Sequence, residues 1–329
     1  EQIESIFSRY KQELYLGSEL LQHGQLAKKY NFVVNEKQLL HGLNWRRGVK
    51  TQYEISCIEQ ANKKAALAHL AAKECFFAQG SEFDIHQTYL KSLENTDQQL
   101  PYQSIVALNE KSAILHYQHK KTSKNANTLL IDAGARFKCY ASDITRTYCK
   151  KETPTTFLQL LSGLEEVQQN ICKKVSAGKS FLELHNDCHR QISELLVEND
   201  ILTCSKEIAI EKSLSSIFFP HGLGHMLGIQ VHDVGGDQID EQGSPAPKKE
   251  AQGKLRMMRI LREDEVITIE PGVYFIPSLL DTKRGSEHSS LYNWKLIDTL
   301  IACGGIRIED NLHVKNKNSP NITRKYLPK

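Results

Sequence analysis

Four carboxylates and one imidazole, each at the edge of an apolar or alternating run, are the residues with which this sequence could do chemistry. Asp132 closes Leu129-Leu130-Ile131, and Asp143 precedes Ile144-Thr145-Arg146-Thr147. His225 ends Phe219-Pro220-His221-Gly222-Leu223-Gly224-His225, Glu270 closes Ile267-Thr268-Ile269, and Glu309 closes Ile306-Arg307-Ile308. Strand periodicity sets Thr268 and Glu270 on one face, opposite Ile267 and Ile269, and likewise sets Arg307 and Glu309 opposite their isoleucines. Carboxylates on half-buried strands need counter-charge, because burial alone would force them to protonate. Two divalent cations would balance four carboxylates and leave room for a bridging hydroxide. A ligand set rich in oxygen, with one histidine and no cysteine, favours Mn²⁺, Co²⁺ or Zn²⁺ over copper or iron–sulfur clusters. Paired metals roughly 3.5–4 Å apart activate a water and polarise a scissile carbonyl together. The expected chemistry is metal-assisted hydrolysis.

The other histidines divide by context. His221 and His225 are four apart, like two ligands of a zinc helix, but no glutamate follows His221, and Gly222 and Gly224 disfavour a helix. Only His225 is therefore expected on metal. His221 and His232 are left to line the cleft as neutral donors or acids, with His116 in Ala113-Ile114-Leu115-His116-Tyr117 as a further candidate. His41, His69, His86, His185 and His189 fall on expected helices or loops and read as structural or surface residues.

The elements that must position these groups follow a repeated grammar. Residues 1–30 read as a polar helix, and 31–50 as a mixed segment with one short strand, Phe32-Val33-Val34. From residue 52 to 79, Ile55, Ile58, Ala61, Ala65, Leu70 and Phe77 recur at helical spacing; Gly80 stops that helix, and Ser81 with Asp84 forms a capping box for the next. About 98 residues later the pattern returns. Pro154 opens a helix with Phe157, Leu160, Leu161, Leu164, Val167 and Ile171 inward, Gly178 stops it, and Ser180 with Glu183 caps another running to about Glu198. Strands are expected after each pair, at 104–108, 129–132 and 140–148, then at 217–219, 266–270 and 305–308. Asp132 and Asp143 thus come from one half, and His225, Glu270 and Glu309 from the other, with the site in the cleft between them.

Composition excludes other classes. A chain of 329 residues with 40% hydrophobic content is long enough for one large core or two smaller ones. A net charge of +3, dispersed in short lysine pairs, gives no nucleic-acid footprint. No apolar run approaches the roughly 18 residues needed to span a bilayer. Eight cysteines without CxxC or framework spacing read as free thiols of a reducing cytoplasm. The first residues carry neither a basic nor an apolar leader segment, so no signal peptide is expected, and there is no initiating methionine.

From about Lys50 onward the sequence resembles the pita-bread metallopeptidases, and within them the bacterial-type Xaa-Pro dipeptidases. The resemblance is carried by Tyr102 to Glu110 (YQSIVALNE), Leu130 to Ala135 (LIDAGA), Pro220 to Asp233 (PHGLGHMLGIQVHD), Thr268 to Ile276 (TIEPGVYFI) and Gly304 to Asn311 (GGIRIEDN). It implies an α+β fold with pseudo-twofold αβ halves around a curved, mainly antiparallel sheet. Residues 51–329 would be the catalytic domain and 1–50 a short helical remnant of an N-terminal domain. It also implies Asp132, Asp143, His225, Glu270 and Glu309 as ligands of a dinuclear centre holding two divalent ions, Mn²⁺ foremost, with Asp143 and Glu309 or Asp132 bridging or bidentate. The reaction implied is release of proline from an Xaa-Pro dipeptide. His221 and His232 would lie near the scissile amide, and Glu270 would shuttle the proton. His116, Arg307 and either Arg256 or Arg259 would contact substrate, the latter two through its carboxylate. A homodimer is the implied assembly, with neither nucleic acid nor membrane as partner. Two departures stand out. Met226 replaces the proline usual after the metal-binding histidine, which should loosen that loop. The segment before the match is short for the family's N-terminal domain, which bears on dimer geometry and on selectivity for dipeptides.

Overall fold

The α2 helix, Gln52–Phe77, shows how local signals set the frame: Thr51 accepts from the Glu54 N–H while Glu54 reaches back to the Thr51 N–H, closing both orphan donors. The computed structural model describes residues 37–246 and 255–328, together with the two-residue strands β1 (Leu14–Tyr15) and β2 (Val33–Val34), which pair in parallel. The strand expected near residue 33 is therefore present, and Leu14 and Tyr15 are extended rather than helical. The rest of the helix expected over 1–30 lies outside the described residues. Helix α1 (Lys37–Gly48) occupies the segment read as mixed. Its sequence has no apolar stripe, and it is held by contacts far away in the chain.

Each half is a helix pair followed by strands. In the first, α2 and α3 (Glu82–Leu93) precede β3 (Ile105–Leu108), β4 (Thr128–Asp132), β5 (Arg136–Phe137), β6 (Tyr140–Ala141) and β7 (Thr145–Cys149). In the second, α4 (Thr155–Lys174) and α5 (Phe181–Glu198) precede α6 (Lys206–Glu211), β8 (Val266–Ile269), β9 (Gly272–Tyr274), α7 (Pro277–Arg284), α8 (Trp294–Ile301), β10 (Gly305–Arg307) and β11 (Asp310–His313). The Ser81 capping box forms as expected, and the Ser180 hydroxyl accepts from the Glu183 N–H. Apart from β1–β2, every strand pair is antiparallel: β3–β4–β7, β5–β6, β8–β11 and β9–β10.

Two expectations fail locally. At the strand expected over 217–219, Ile217 instead closes a 3-10 turn (Leu214–Ile217), and the buried Phe218 and Phe219 follow as turn and bend without strand pairing. On α2, Leu70 and Phe77 point outward. The inward face is instead the small-residue stripe Ala61, Ala65, Ala68 and Ala72, which lets α3 pack close.

The halves have separate cores. One joins Phe76, Ile85 and Tyr89 to Val106, Leu129 and Ile131. The other joins Phe157, Leu164 and Phe181 to Ile267, Ile269 and Ile306. The seam between halves is where Thr145 of β7 bridges Glu309 through a backbone bond of 3.0 Å. Two carboxylates of the first half thereby come to face the ligand candidates of the second.

Candidate metal centre and substrate cavity

Strand ends deliver the carboxylates to one place. Asp132 is the last residue of β4, Asp143 stands two residues before β7, Glu270 follows β8, and Glu309 sits between β10 and β11. His225 arrives on irregular chain held against β8: its N–H donates to the Thr268 hydroxyl at 3.1 Å. Gly224 makes that approach possible, since a Cβ there would lie 2.1 Å from the Thr268 carbonyl. Gly224→Ala is expected to destabilise the protein by about 1–3 kcal/mol through overpacking and to weaken metal retention by displacing His225. Thermal unfolding and metal content measured together check both effects, and a variant matching wild type in each would refute this account.

Donor atoms of Asp143, His225 and Glu309, all buried, lie within 4.8 Å of one another. His225 Nε2 is 3.4 Å from Asp143 Oδ2, 3.8 Å from Glu270 Oε1 and 4.0 Å from Glu309 Oε1. Its Nδ1–H donates to the Met226 carbonyl at 2.9 Å, which turns the other nitrogen toward the carboxylates. Asp132 joins through two partners: Arg307 Nη2 at 2.6 Å, and the Tyr102 hydroxyl, which lies 2.8 Å from Asp132 and 2.6 Å from Asp143.

The electrostatics are those of an anionic cluster short of cations. Burial raises Glu270 to about 7, against the pull of His225 and Arg307. Burial, with Asp143 and Glu270 beside it, pushes Glu309 well above the usual carboxylate range, and burial likewise raises Asp132. Burial opposes ionisation of Asp143, but the His225 contact outweighs it and the group is lowered. His225 is raised because its carboxylate neighbours overcome burial.

A cavity of about 1450 Å³ opens onto the cluster, and His116, His221, His232 and Arg256 line it as well. His232 meets the His225 ring edge to face at 4.5 Å; although the residue as a whole is exposed, desolvation of its ring in the cavity, with His225 and Arg256 nearby, lowers it to about 4. His221, lowered to about 3 by burial, has both nitrogens engaged: Nδ1 donates to the Gly222 carbonyl at 2.9 Å and Nε2 accepts from Tyr274 at 2.8 Å. Arg307 also reaches the cavity, yet it donates to Asp132, to Tyr274 at 2.8 Å and to Thr145 at 3.2 Å. It is an organiser of the cluster before anything else.

Of the two arginines, only Arg256 faces the cavity. Arg259 is sealed behind the wall, stacked on Trp45, 3.2 Å from Glu265 and bonded to the Gly235 carbonyl. The expectation of substrate contact for Arg259 is corrected accordingly: a guanidinium in a buried ion pair is not free for a ligand. Met226, expected to loosen its loop, is tied into it. It is buried, and its carbonyl accepts from His225 Nδ1 and the Asp233 N–H. His41, read as structural or surface, lines the cavity from α1. His185 and His189 stack with Phe219 behind His221.

A sequence profile described as metallopeptidase family M24 matches residues 56–316. The chain belongs to this family. Xaa-Pro dipeptidases of Pseudoalteromonas atlantica and Pseudoalteromonas haloplanktis are 42% and 40% identical, over 91% and 99% of this chain and 69% and 74% of their own. Zinc-substituted E. coli aminopeptidase P in complex with product superposes with a TM-score of 0.71 at 25% identity, over 91% of this chain. A low-pH form of aminopeptidase P from E. coli gives 0.71 at 26%, over 90%. The chain spans 62% and 60% of those two structures' lengths. Its fold is theirs, the pita-bread architecture.

Membership of M24 implies divalent metal, and the residues present fit one. Glu309 Oε1 is buried with no hydrogen-bond partner, while Oε2 accepts from Thr145 at 2.8 Å. A buried carboxylate oxygen left without a donor, facing an imidazole nitrogen and a second carboxylate, is what a cation would satisfy. Sequence reasoning gave no role to Tyr102, Thr145 or Tyr274. Thr145 was findable, since it shares a strand face with Asp143; Tyr102 and Tyr274 had no periodic signal. Among the described residues no helix is long and apolar enough to cross a membrane.

Proposed function

We propose that this M24 chain hydrolyses Xaa-Pro dipeptides, releasing proline, with two divalent ions, Mn²⁺ foremost and Co²⁺ or Zn²⁺ as alternatives, held by Asp132, Asp143, His225, Glu270 and Glu309. The observation that carries the reading is the orphaned Glu309 oxygen within the Asp143–His225–Glu309 cluster, in a cavity that Arg256 also lines. Similarity to Xaa-Pro dipeptidases supports the substrate class. Bound divalent ions would polarise the scissile carbonyl and acidify the attacking water.

The chain's own residues do the rest. Arg256 binds the proline carboxylate, a fork well matched to that group. His232, neutral at physiological pH, donates to the developing oxyanion. Glu270, at the edge of the cluster beside His225, takes the water proton and returns it to the leaving nitrogen. His221, locked by Gly222 and Tyr274, keeps the wall around the amide in shape. His116 borders the same cavity and contacts the substrate there. The tertiary Xaa-Pro amide offers no N–H, so recognition falls on the two termini of the substrate. Residues 51–329 act as the catalytic unit, in a cytoplasmic homodimer, with neither nucleic acid nor membrane as partner.

Chelated protein assayed on Gly-Pro and Ala-Pro, before and after Mn²⁺ is restored, is the test. Proline release that returns with Mn²⁺ is expected. Cleavage of a tripeptide control at a comparable rate would move the reading to an aminopeptidase, the activity named for the solved relatives. No turnover with metal bound would refute it.

A further inference from the structure

The loop that carries His232 is anchored from outside the site. It runs from Met226 to Asp233, and its ends are tied by the Asp233 N–H donating to the Met226 carbonyl at 2.9 Å. His225 stands just before one end and His232 just before the other, so this pinch sets the ring-to-ring contact between them. Behind it the Asp233 side chain, 2% exposed, accepts from Arg47 at 2.7 Å and pairs with Lys50 at 3.1 Å. The Lys50 side chain is 1% exposed, and its ammonium also donates to the carbonyls of Arg47 at 2.6 Å and Gly48 at 3.1 Å. All three of its protons are thereby placed. Gly228 closes the packing, since a Cβ there would lie 2.2 Å from Asp233 and 3.0 Å from the Lys50 chain.

A buried lysine is an expensive way to fill space, because an apolar side chain would avoid the loss of hydration. A fully satisfied ion pair instead permits one arrangement of the groups around it. Every partner here lies on the His232 loop or on the last turn of α1. We propose that Lys50 is a positioning residue for hydrolysis, fixing through Asp233 the loop that holds His232 over the site. The inference rests on the proposed role of His232 in peptide hydrolysis.

The test uses the full chain, Mn²⁺-loaded for kinetics and zinc-loaded for NMR of the histidine rings. Lys50→Met is expected to lower kcat by about 10- to 100-fold, the range typical of residues that orient a ligand-bearing group. KM should change by less than about threefold, and metal content should stay at the wild-type level. The His232 ring resonances should shift. Asp233→Asn should do the same, and the double variant should cost no more than either single one, as expected for partners in one interaction. Arg46→Ala, which removes only the exposed pair with Glu241, should leave kcat within about twofold. Wild-type kcat in Lys50→Met, or a fall in kcat with unmoved His232 resonances, would overturn the proposal. If Lys50→Met fails to fold, Asp233→Asn carries the same readouts. If the wild-type chain cleaves no Xaa-Pro peptide, the activity reading fails, and the His232 resonances alone decide the anchor.

Discussion

Glu309→Gln is expected to lower kcat/KM on an Xaa-Pro dipeptide by about a thousandfold or more and to abolish tight metal binding, while leaving the metal-free protein at least as stable as wild type. The two halves of this result have one cause. The Glu309 side chain is buried among like charges, with one oxygen unpartnered. Its carboxyl is raised in the folded chain, as is that of Glu270. A raised carboxyl holds its proton in the folded state at pH values where the unfolded chain has lost it. The metal-free protein should therefore lose stability as pH rises from the ordinary carboxyl value of 4.5 through about 7, the range set by Glu270. Glutamine has the same shape and no charge, so the variant should show a shallower loss across that window. Metal should reverse the trend in wild type and not in the variant. Thermal unfolding between pH 4.5 and 8, with chelator and with Mn²⁺, measures this directly. A variant that is markedly less stable without metal, or that keeps a tenth of its activity, would contradict it.

Arg307→Ala should unfold more readily by about 3–5 kcal/mol, the cost of leaving a buried charge without its partner. Arg307 is 4% exposed, and its guanidinium spans Asp132, Tyr274 and Thr145. Without it, Asp132 faces Asp143 across the Tyr102 hydroxyl alone, and Tyr274 loses the donor that fixes its bond to His221. Activity should fall by about 100-fold as the ligand and cavity geometry relax. Arg307→Lys should recover only part of this, because a point charge cannot reach three acceptors set around a planar fork. Urea unfolding of the chelated proteins isolates the stability term, and a cost below about 1 kcal/mol for Arg307→Ala would show that Asp132 does not depend on this ion pair.

That Asp143, His225 and Glu309 come together, and the half of the fold each comes from, was legible in the sequence. The capping box at Ser81 and the serine cap at Ser180 act within a few residues, and strand alternation reports which side chains share a face; both are local physics. Asp143, His225 and Glu309 could therefore be nominated from where apolar runs stop. The choice between Arg256 and Arg259 could not, because three residues of separation do not say which guanidinium meets a cavity and which meets Glu265. Nor could Leu70 and Phe77 be placed, since an alanine stripe competes for the same helix and wins by allowing closer packing. Helix α1 is the clearest case. Its residues lack a periodic face, yet His41 reaches the cavity wall and Arg47 and the adjoining Lys50 hold Asp233, nearly two hundred residues away in the chain. Periodicity fixes the direction in which a side chain points, whereas the partner it finds there is set by how distant elements pack, and that information exists only in the folded chain.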